Sequence, residues 1–409
     1  MKTIVLFLII FICSANVYSQ WIQQTSGTGE TLLGIAVTSS QTIYIAGTNG
    51  LILKSTNGGS QWNPQSSGTT NFLRDVYFSD PVTGYIVGES GRILKTTNGG
   101  LNWINQISNT TEHLVHVHFI DNQNGLASGQ NGVIIKTTNG GTNWTSQTSG
   151  VIQELAGITF IDNITACAVG FNGVILRSTN SGINWSQIPS GTNSNLRSVA
   201  FAGTGTGYVC GYNGTILKTL NSGLNWISLT SNTSNDLFAV IFINNSTGYS
   251  AGSGKIIKTT NGGNNWISQQ ILFTGDFYDI MFSNINTGWA AGQFGTIHST
   301  INGGVGVKLI SSEIPESFAL QQNYPNPFNP VTKINYELPA SRQGGRVTNY
   351  VTLTVFDILG NEINKLVNAK QTAGSYEVNF DGKGLSSGIY FYKFSAGGFT
   401  STKLMTLIK

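Results

Sequence analysis

Apolar residues return along this chain in columns that repeat about every forty positions. One column holds leucine in six successive units and a second, three positions later, holds valine or isoleucine. Inside each unit, short alternating runs separated by turn residues indicate strands rather than helices. The leucine column comprises Leu32, Leu73, Leu114, Leu155, Leu196 and Leu237, and the β-branched column Ile35, Val76, Val117, Ile158, Val199, Val240 and Ile280.

The second unit shows four predicted strands. They cover Leu73–Phe78, Gly84–Gly88, Arg92–Thr96 and Trp103–Ile107, and the turns between them read Ser-Asp-Pro, Glu-Ser-Gly and Asn-Gly-Gly. Four strands in about forty residues is typical of one blade of a β-propeller. Such a unit cannot bury both of its faces alone, so the copies are expected to pack around a ring.

Tryptophans mark the same repeat. They follow one another at intervals of 41, 41, 41, 41, 41 and 40 residues, and most follow a phrase such as Thr96-Thr-Asn98-Gly-Gly100-Leu-Asn-Trp103. A seventh copy, Thr300 to Gly304, lacks its tryptophan. The series is Trp21, Trp62, Trp103, Trp144, Trp185, Trp226 and Trp266.

The two ends of the repeat region complement each other. Trp21 matches the fourth-strand tryptophans but has no blade before it, and the last unit, 277–304, has three strands. We therefore predict that Trp21–Thr25 completes the last blade, which removes an exposed sheet edge. The predicted fold is all-β: a seven-bladed β-propeller over 20–306, closed by the N-terminal strand, followed by an immunoglobulin-like β-sandwich.

Composition and the chain start place the protein outside the cytoplasm. Of the 409 residues 10% are charged and 51 are glycine, and the net charge of +3 gives no basic footprint for nucleic acid. Lys2 and the apolar run Ile4–Ile12 indicate a signal peptide over 1–19, cleaved after Ser19. Ile12 stands where a lipoprotein needs a small residue before Cys13. We expect no membrane-spanning segment in the mature chain.

The repeat register argues against a disulfide and a metal site. Cys167 and Cys210 occupy positions of the same parity in neighbouring blades, so we expect two buried free thiols. His113, His116 and His118 fall on one strand, and alternation places His116 and His118 on one face and His113 on the other. We therefore expect no metal and no cofactor.

The repeated phrase resembles an Asp-box with asparagine where aspartate is usual. The whole unit is similar to propellers of the photosystem II assembly and stability factor family, within the wider sialidase-like group, over residues 20–306. The resemblance implies that the asparagines cap a turn between third and fourth strands and that the tryptophans pack beneath it. These structural positions are Asn57, Trp62, Asn98, Trp103, Asn139, Trp144, Asn180, Trp185, Asn221, Trp226, Asn261 and Trp266.

After the repeat we predict a linker, 307–318, and a β-sandwich, 319–409. The sandwich contains Asn323-Tyr-Pro-Asn-Pro-Phe-Asn-Pro330, Asp357 to Gly360, the Ser-Ser-Gly-Ile-Tyr strand and a last strand ending in lysine. This tail closely resembles the type A sorting domain of type IX secretion, although a plain adhesive sandwich is an alternative. The sorting-motif positions are Asn326, Pro327, Phe328, Asn329, Pro330, Lys403 and Lys409.

The sorting resemblance implies a cellular setting. It implies a Gram-negative envelope, passage through the periplasm, and release from or attachment to the outer-membrane surface. The type IX secretion machinery would be a partner. The photosystem role of the propeller family does not fit that setting, so we do not carry it over.

Candidate binding residues lie on the first strand of each blade, which lines the channel of a propeller. Two positions past each leucine, the chain carries small or polar residues, among them Asp75, His116 and Asp279, and Arg74 and Arg197 stand beside this column. The column reads Gly34, Asp75, His116, Gly157, Ser198, Ala239 and Asp279. We expect any ligand to bind at this channel mouth, although a solvated channel lining is the simpler explanation of the column.

Two functions remain open from the sequence. The first is a non-enzymatic scaffold, expected to be monomeric, that binds an extracellular protein or glycan. The second is a glycoside hydrolase of the sialidase-like group, which would need an arginine cluster and two suitably spaced carboxylates. The propeller has only Arg74, Arg92, Arg177 and Arg197, and Asp80, Asp121 and Asp162 share one turn position where they are expected to cap turns. We therefore favour the scaffold and assign no catalytic residue.

Overall fold

The computed structural model describes residues 17–18, 21–271, 273–304, 307–311, 313–340 and 349–409. The chain divides into a compact unit, Trp21–Gly304, and a second unit that contains Val17–Tyr18 and the residues from Val305 onward. The predicted signal peptide, 1–19, and its cleavage site lie outside the described residues except for Val17–Tyr18. Within the described part, no helix has the length and apolar character needed to cross a membrane.

Trp21–Gly304 consists of short strands and single 3₁₀ turns. The strands described here are β2 Ile22–Gln24, β3 Leu32–Val37, β4 Ile43–Gly47, β5 Ile52–Ser55, β6 Asn63–Gln65, β7 Leu73–Phe78, β8 Gly84–Gly88, β9 Arg92–Thr96, β10 Ile104–Gln106, β11 Leu114–Phe119, β12 Gly125–Gly129, β13 Ile134–Thr137, β14 Thr145–Gln147, β15 Leu155–Phe160, β16 Ala166–Gly170, β17 Ile175–Ser178, β18 Ser186–Gln187, β19 Leu196–Phe201, β20 Gly207–Gly211, β21 Ile216–Thr219, β22 Ile227–Leu229, β23 Leu237–Phe242, β24 Gly248–Gly252, β25 Lys255–Thr259, β26 Ile267–Ser268, β27 Phe277–Phe282, β28 Gly288–Gly292 and β29 Ile297–Thr300. The 3₁₀ turns are Thr48–Gly50, Glu89–Gly91, Gln130–Gly132, Phe171–Gly173 and Gln293–Gly295.

These strands form antiparallel four-stranded sheets. Among residues 21–271 and 273–304 there are seven, which we number in chain order: β3–β6, β7–β10, β11–β14, β15–β18, β19–β22, β23–β26, and finally β27, β28 and β29 with β2. Each sheet packs on the next through its first strand, and the seventh contacts the first. The arrangement is propeller-like, as the repeat predicts.

The Asn-Gly turn, between the third and fourth strands, is held by its own side chains. In sheet 2 the Thr96 hydroxyl donates to Asn98 Oδ1 at 2.9 Å and accepts the Gly100 N–H at 2.9 Å. Asn98 Oδ1 also accepts the Asn102 N–H at 3.0 Å. The same bonds recur at Asn57, Asn139, Asn180, Asn221 and Asn261.

The tryptophan after each turn packs against its own sheet. Trp103 meets Phe78 edge-on with ring centroids 6.0 Å apart, and Trp144 meets Phe119 in the same way at 5.8 Å. Trp62, Trp144, Trp226 and Trp266 are buried, while Trp103 and Trp185 are half-buried. The predicted asparagine and tryptophan positions therefore shape the turn and the core beneath it.

The Asn-Gly turn also receives two donors from the preceding sheet. Tyr85 of sheet 2 donates its hydroxyl to Gly140 O of sheet 3 at 3.0 Å, and Lys95 Nζ reaches the same carbonyl at 2.5 Å. The Tyr85 ring stacks on Phe119 with centroids 3.9 Å apart. The contact recurs where Tyr44 and Lys54 meet Gly99, Tyr208 and Lys218 meet Gly262, and Tyr249 and Lys258 meet Gly303.

The seventh sheet joins the first by the same kind of contact. Trp289 stands where the other sheets carry tyrosine, and its indole N–H donates to Gly58 O of sheet 1 at 3.3 Å. The predicted N-terminal strand is in place, because Ile22 pairs with Ser299 and Gln24 with Ile297. Trp21 then packs edge-on against Phe282 at 5.9 Å and supplies the tryptophan that this sheet lacks.

The second unit is a two-sheet sandwich. Its strands are β1 Val17–Tyr18, β30 Val307–Ser311, β31 Ala319–Leu320, β32 Val331–Leu338, β33 Asn349–Phe356, β34 Glu362–Gln371, β35 Gly374–Asp381, β36 Gly388–Ala396 and β37 Phe399–Leu407. One sheet has the order β1-β30-β35-β32-β31 and the other β34-β33-β36-β37. Between them lies an aromatic core that includes Tyr336, Tyr376, Tyr392 and Phe394.

The predicted linker differs from what the structure shows. Residues 307–311 form β30, which pairs with β35 through Val307 and Val378. Val307 is buried in the sandwich core, and the strand is only five residues long. The sequence pattern was too short to separate this strand from an extended linker.

We expect Tyr85→Phe to lower the free energy of unfolding by about 0.5–1.5 kcal/mol, the usual net value of one buried hydrogen bond. Lys95→Met removes the other donor to Gly140 O, and the double variant is expected to lose more than the sum because it leaves that carbonyl unpaired. Urea denaturation measures both losses. Tyr324→Phe, which alters an exposed tyrosine of the sandwich, is the matched control. An unchanged midpoint for Tyr85→Phe would contradict the role given to this contact.

Candidate functional site

A small cavity opens where the first strands of the seven sheets begin. Its volume is about 90 Å³, and it is lined by all five residues predicted at the channel mouth, Arg74, Asp75, His116, Arg197 and Asp279. We call this cavity and its lining the mouth. Larger depressions between outer loops are lined mainly by serine, threonine, glycine and asparagine, and offer fewer charged or aromatic groups.

A β-bulge at the start of every first strand builds the mouth. The ladder skips one residue between the leucine column and the predicted polar column, for example between Leu73 and Asp75. The skipped residue is unpaired and turns toward the cavity. The skipped residues are Leu33, Arg74, Val115, Ala156, Arg197, Phe238 and Tyr278.

The two aspartates of the mouth tie neighbouring sheets together. Asp75 accepts the Val76 N–H at 2.8 Å and, across the sheet boundary, the Val117 N–H at 2.9 Å. Asp279 does the same for Ile280 at 2.8 Å and for Ile35 of the first sheet at 2.9 Å. Every carboxylate oxygen of the pair therefore already accepts a backbone N–H.

The electrostatics of this pair follow from its surroundings. Burial, and next the charge of Asp75, raises the pKa of Asp279 to about 8, and the two backbone N–H donors oppose the rise. His116 Nδ1 lies 3.7 Å from Asp75 Oδ2, an ion pair only when the imidazole is protonated. The folded state thus holds a proton on Asp279 more tightly than the unfolded chain does. Its contribution to stability falls as pH rises from about 4 toward 8.

The three histidines do not form a metal site. His113 and His116 line the mouth, whereas His118 lies between Tyr77 and Phe160 and accepts the Phe160 N–H at 3.4 Å. Burial lowers the pKa of His118 to about 3. The bulge at Val115 explains why His113 joins His116, which simple strand alternation had placed apart. Over the described ranges, no group of three or more metal-ligating side chains occurs.

Arg197 stands among aromatic rings on one side of the mouth. Its guanidinium lies 5.8 Å from the ring centroids of both Phe171 and Phe238, and its Nη1 is 3.5 Å from Glu154 Oε1. Such contacts hold the planar head in place while leaving N–H groups for another partner. On the other side of the mouth, Arg74 lies 3.5 Å from Glu89.

Four partly exposed rings continue from Arg197 across sheets 4 to 7. Phe171 contacts Tyr212 at 6.3 Å, Tyr212 contacts Phe238 at 6.1 Å, and Phe238 stacks on Tyr278 at 5.4 Å. We call Phe171, Tyr212, Phe238 and Tyr278 the aromatic arc. Next to it, Gln293 bonds the Tyr278 hydroxyl at 3.2 Å.

Phe294 extends this aromatic character to the adjacent turn. It follows Gln293 and is 74% exposed. Its φ of 55° is a left-handed conformation that Asn49, Ser90, Asn131 and Asn172 adopt in the equivalent turns and that a bulky residue disfavours. The fold itself gains no packing from this ring at such an exposure.

Sequence reasoning identified Arg197 and missed the aromatic arc. Phe238 and Tyr278 occupy the bulge column, which strand alternation hides. Phe171 and Tyr212 occupy the turn column, which elsewhere holds threonine, glutamate, glutamine or serine. The sequence did contain a signal for the arc: the turn column is aromatic only in units 4 and 5, and the bulge column only in units 6 and 7.

Two of the predicted sorting-motif residues, Asn326 and Phe328, hydrogen-bond to the last strand. Asn326 Oδ1 accepts the Thr406 N–H at 2.9 Å, Phe328 N–H donates to Thr406 O at 2.9 Å, and the Phe328 ring is buried. Pro327, Asn329 and Lys409 are exposed, and Pro330 and Lys403 are half-buried. The peptide bonds before Pro325 and Pro327 are cis.

Repeated four-stranded sheets around a polar mouth, with a separate two-sheet sandwich, define a propeller-like protein with an appended tail. The family model "Photosynthesis system II assembly factor YCF48" matches residues 62–192 and 178–273, and "Secretion system C-terminal sorting domain" matches 322–408. The first model spans 62–273, which is 273 − 62 + 1 = 212 of 409 residues. The chain therefore belongs to the YCF48 family and carries a secretion-system sorting domain.

Solved structures agree on the fold. YCF48 bound to D1 peptide is 20% identical with a TM-score of 0.60, and 69% of this chain covers 97% of it. YCF48 from Cyanidioschyzon merolae is 18% identical with a TM-score of 0.59, at 68% and 98% coverage. The WD40 β-propeller domain of Doa1 is 12% identical with a TM-score of 0.57, at 68% and 96% coverage. No curated protein matches the chain.

Proposed function

We propose that the mature chain is a non-enzymatic, seven-bladed propeller scaffold that binds a segment of an extracellular protein at the mouth. The aromatic arc beside Arg197 carries this proposal, because partly exposed rings and a clamped guanidinium are typical anchors of protein contacts. The arc spans sheets 4 to 7 only, so the mouth has an aromatic side and a polar side. That asymmetry suits an extended partner better than a symmetric ion.

The family supports a protein partner. Its model carries the name of an assembly factor, and one structure of similar fold has a bound peptide. At 20% identity that likeness shows the fold alone, so the transfer of peptide binding to this chain rests on the mouth's own residues.

The alternative, a glycoside hydrolase, has weaker support. Asp75 and Asp279 are the acids on the first-strand column of the mouth, and each already accepts two backbone N–H groups. An acid or nucleophile in a hydrolase needs an oxygen directed at the substrate. Glu154, the other acid of the mouth lining, faces Arg197.

The tail sets the location of this function. A secretion-system sorting domain over 322–408 places the protein in the secreted or surface-exposed class. We further propose a Gram-negative envelope in which a signal peptide delivers the chain to the periplasm and the tail directs it through the outer membrane.

The mouth is tested by panning a random-peptide display library against the purified mature chain. Selected peptides are expected to lose about tenfold or more in affinity when Arg197→Ala and Phe238→Ala are combined, since both anchors are removed. Arg92→Ala with Leu101→Ala is the control, because both residues are away from the mouth. Peptides insensitive to the mouth variant, or a glycan array that alone gives ligands, would count against a protein partner.

Export is tested by deleting 305–409, which removes β30 with the rest of the sandwich and leaves Trp21–Gly304 whole. The truncated chain is expected to accumulate in the periplasm, where cell fractionation and immunoblotting detect it. Appearance on the surface or in the medium at the full-length level would show that the tail does not direct export.

A further inference from the structure

The β33–β34 hairpin of the sandwich ends in two adjacent aliphatic residues that face solvent. Ile358 is 69% exposed and Leu359 is 81% exposed. On either side along the same hairpin, Val355 and Leu366 are fully buried. We call Ile358 and Leu359 the tip.

The tip is held rigidly in this position. Asp357 Oδ1 accepts the Leu359 N–H at 2.8 Å and the Asn361 N–H at 2.9 Å, and Asp357 Oδ2 accepts the Asn361 side-chain amide at 2.8 Å. The Gly360 N–H donates to Asp357 O at 3.1 Å, and Gly360 has a φ of 83° that favours glycine. These hydrogen bonds lower the pKa of Asp357, and the bond from the Asn361 side chain is the largest cause. The Asp357 carboxylate is therefore ionised at neutral pH.

The charges near the tip and its small area limit which kind of partner could bind it. The nearest charges along the chain are Asp357 and Glu362, and Lys365 is paired with Glu362 at 3.5 Å. An acidic neighbourhood disfavours an anionic lipid surface, which attracts clusters of lysine and arginine. Two side chains are also far too few for a stable dimer, which buries on the order of 1,200–2,000 Å².

We propose that the tip inserts into an apolar pocket on a protein of the secretion apparatus and is the part of the tail that this apparatus reads. The inference rests on the proposed export function, because the matched sorting domain, 322–408, contains the tip. A rigid pair of anchors entering a pocket gives brief but selective binding, as a cargo signal requires.

The test compares full-length variants in the native host. Ile358→Ser with Leu359→Ser is expected to reduce the exported fraction by about tenfold or more, with periplasmic accumulation. Ile358→Val with Leu359→Ile keeps the apolar volume and should export normally. The matched control is Tyr350→Ser, which removes a 55% exposed aromatic side chain from the far end of β33.

Folding and export are separated by two readouts. Thermal unfolding of the purified tip variant is expected to equal that of the wild type, because the substituted side chains are exposed. If the tip variant exports normally while the 305–409 deletion does not, the tip proposal fails and the export function stands. If the deletion itself exports normally, the export function fails.

The identity of the occupant is tested by photo-crosslinking. A benzoylphenylalanine at position 359 is expected to give an adduct that mass spectrometry identifies as a component of the secretion apparatus, and the same probe at position 350 should not give that adduct. An adduct with lipid, or with a second copy of this chain, would overturn the choice of a protein pocket even if export is lost.

Discussion

The contact between a tyrosine of one sheet and the Asn-Gly turn of the next holds the propeller unit together. A single sheet of this size has two apolar faces and cannot fold alone. The tyrosine hydroxyl and a lysine ammonium both donate to one glycine carbonyl, as at Gly140, while the tyrosine ring stacks on phenylalanine. The contact thus couples the capped turn, the aromatic core and the neighbouring sheet. The positions of the first strands, and therefore of the mouth, depend on it.

In some sheets another residue replaces the tyrosine, and these cases show which part of the contact is kept. Where Cys167 replaces the tyrosine, Arg177 Nε donates to Ser222 O at 2.7 Å instead. Where Trp289 replaces it, the indole N–H bonds Gly58 O. At these two boundaries a donor from one sheet still bonds a turn carbonyl of the next, so the donor type can change while the hydrogen bond stays. In sheet 3 Leu126 occupies the same position and packs against the next turn at Gly182 without a donor of its own.

The sequence was sufficient for most of the fold because each repeat states the same pattern. The four strands per unit are confirmed, and the last sheet is completed by an N-terminal strand, predicted as Trp21–Thr25 and observed as Ile22–Gln24. In the tail, β30 and β34 were not predicted. β34, Glu362–Gln371, carries several polar residues and pairs with β33 across two register shifts, which interrupt alternation. Its place at the edge of the sheet comes from pairing with β33 across the adjacent hairpin turn.

At the mouth, aligning equivalent positions of the repeats predicted only part of the structure. The polar column led to a cavity that Asp75, His116 and Asp279 line. Their backbone bonds across sheets were not visible in sequence, because they depend on the bulge that brings the next strand's N–H into reach. The same bulge turns Phe238 and Tyr278 inward. A polar residue that the sequence suggests as a ligand can therefore bond the neighbouring sheet, while the residue before it faces the cavity.

Closure of the propeller unit by the N-terminal strand is tested most directly by a designed disulfide between the two ends of that unit. Ile22 and Ser299 are paired on neighbouring antiparallel strands, so their Cα atoms are about 4.5–5.5 Å apart, within the range a disulfide spans. In Ile22→Cys with Ser299→Cys, mass spectrometry after mild oxidation is predicted to find one intramolecular bond and a raised urea midpoint. Two freely alkylated thiols at these positions in the native protein would contradict closure by the N-terminal strand.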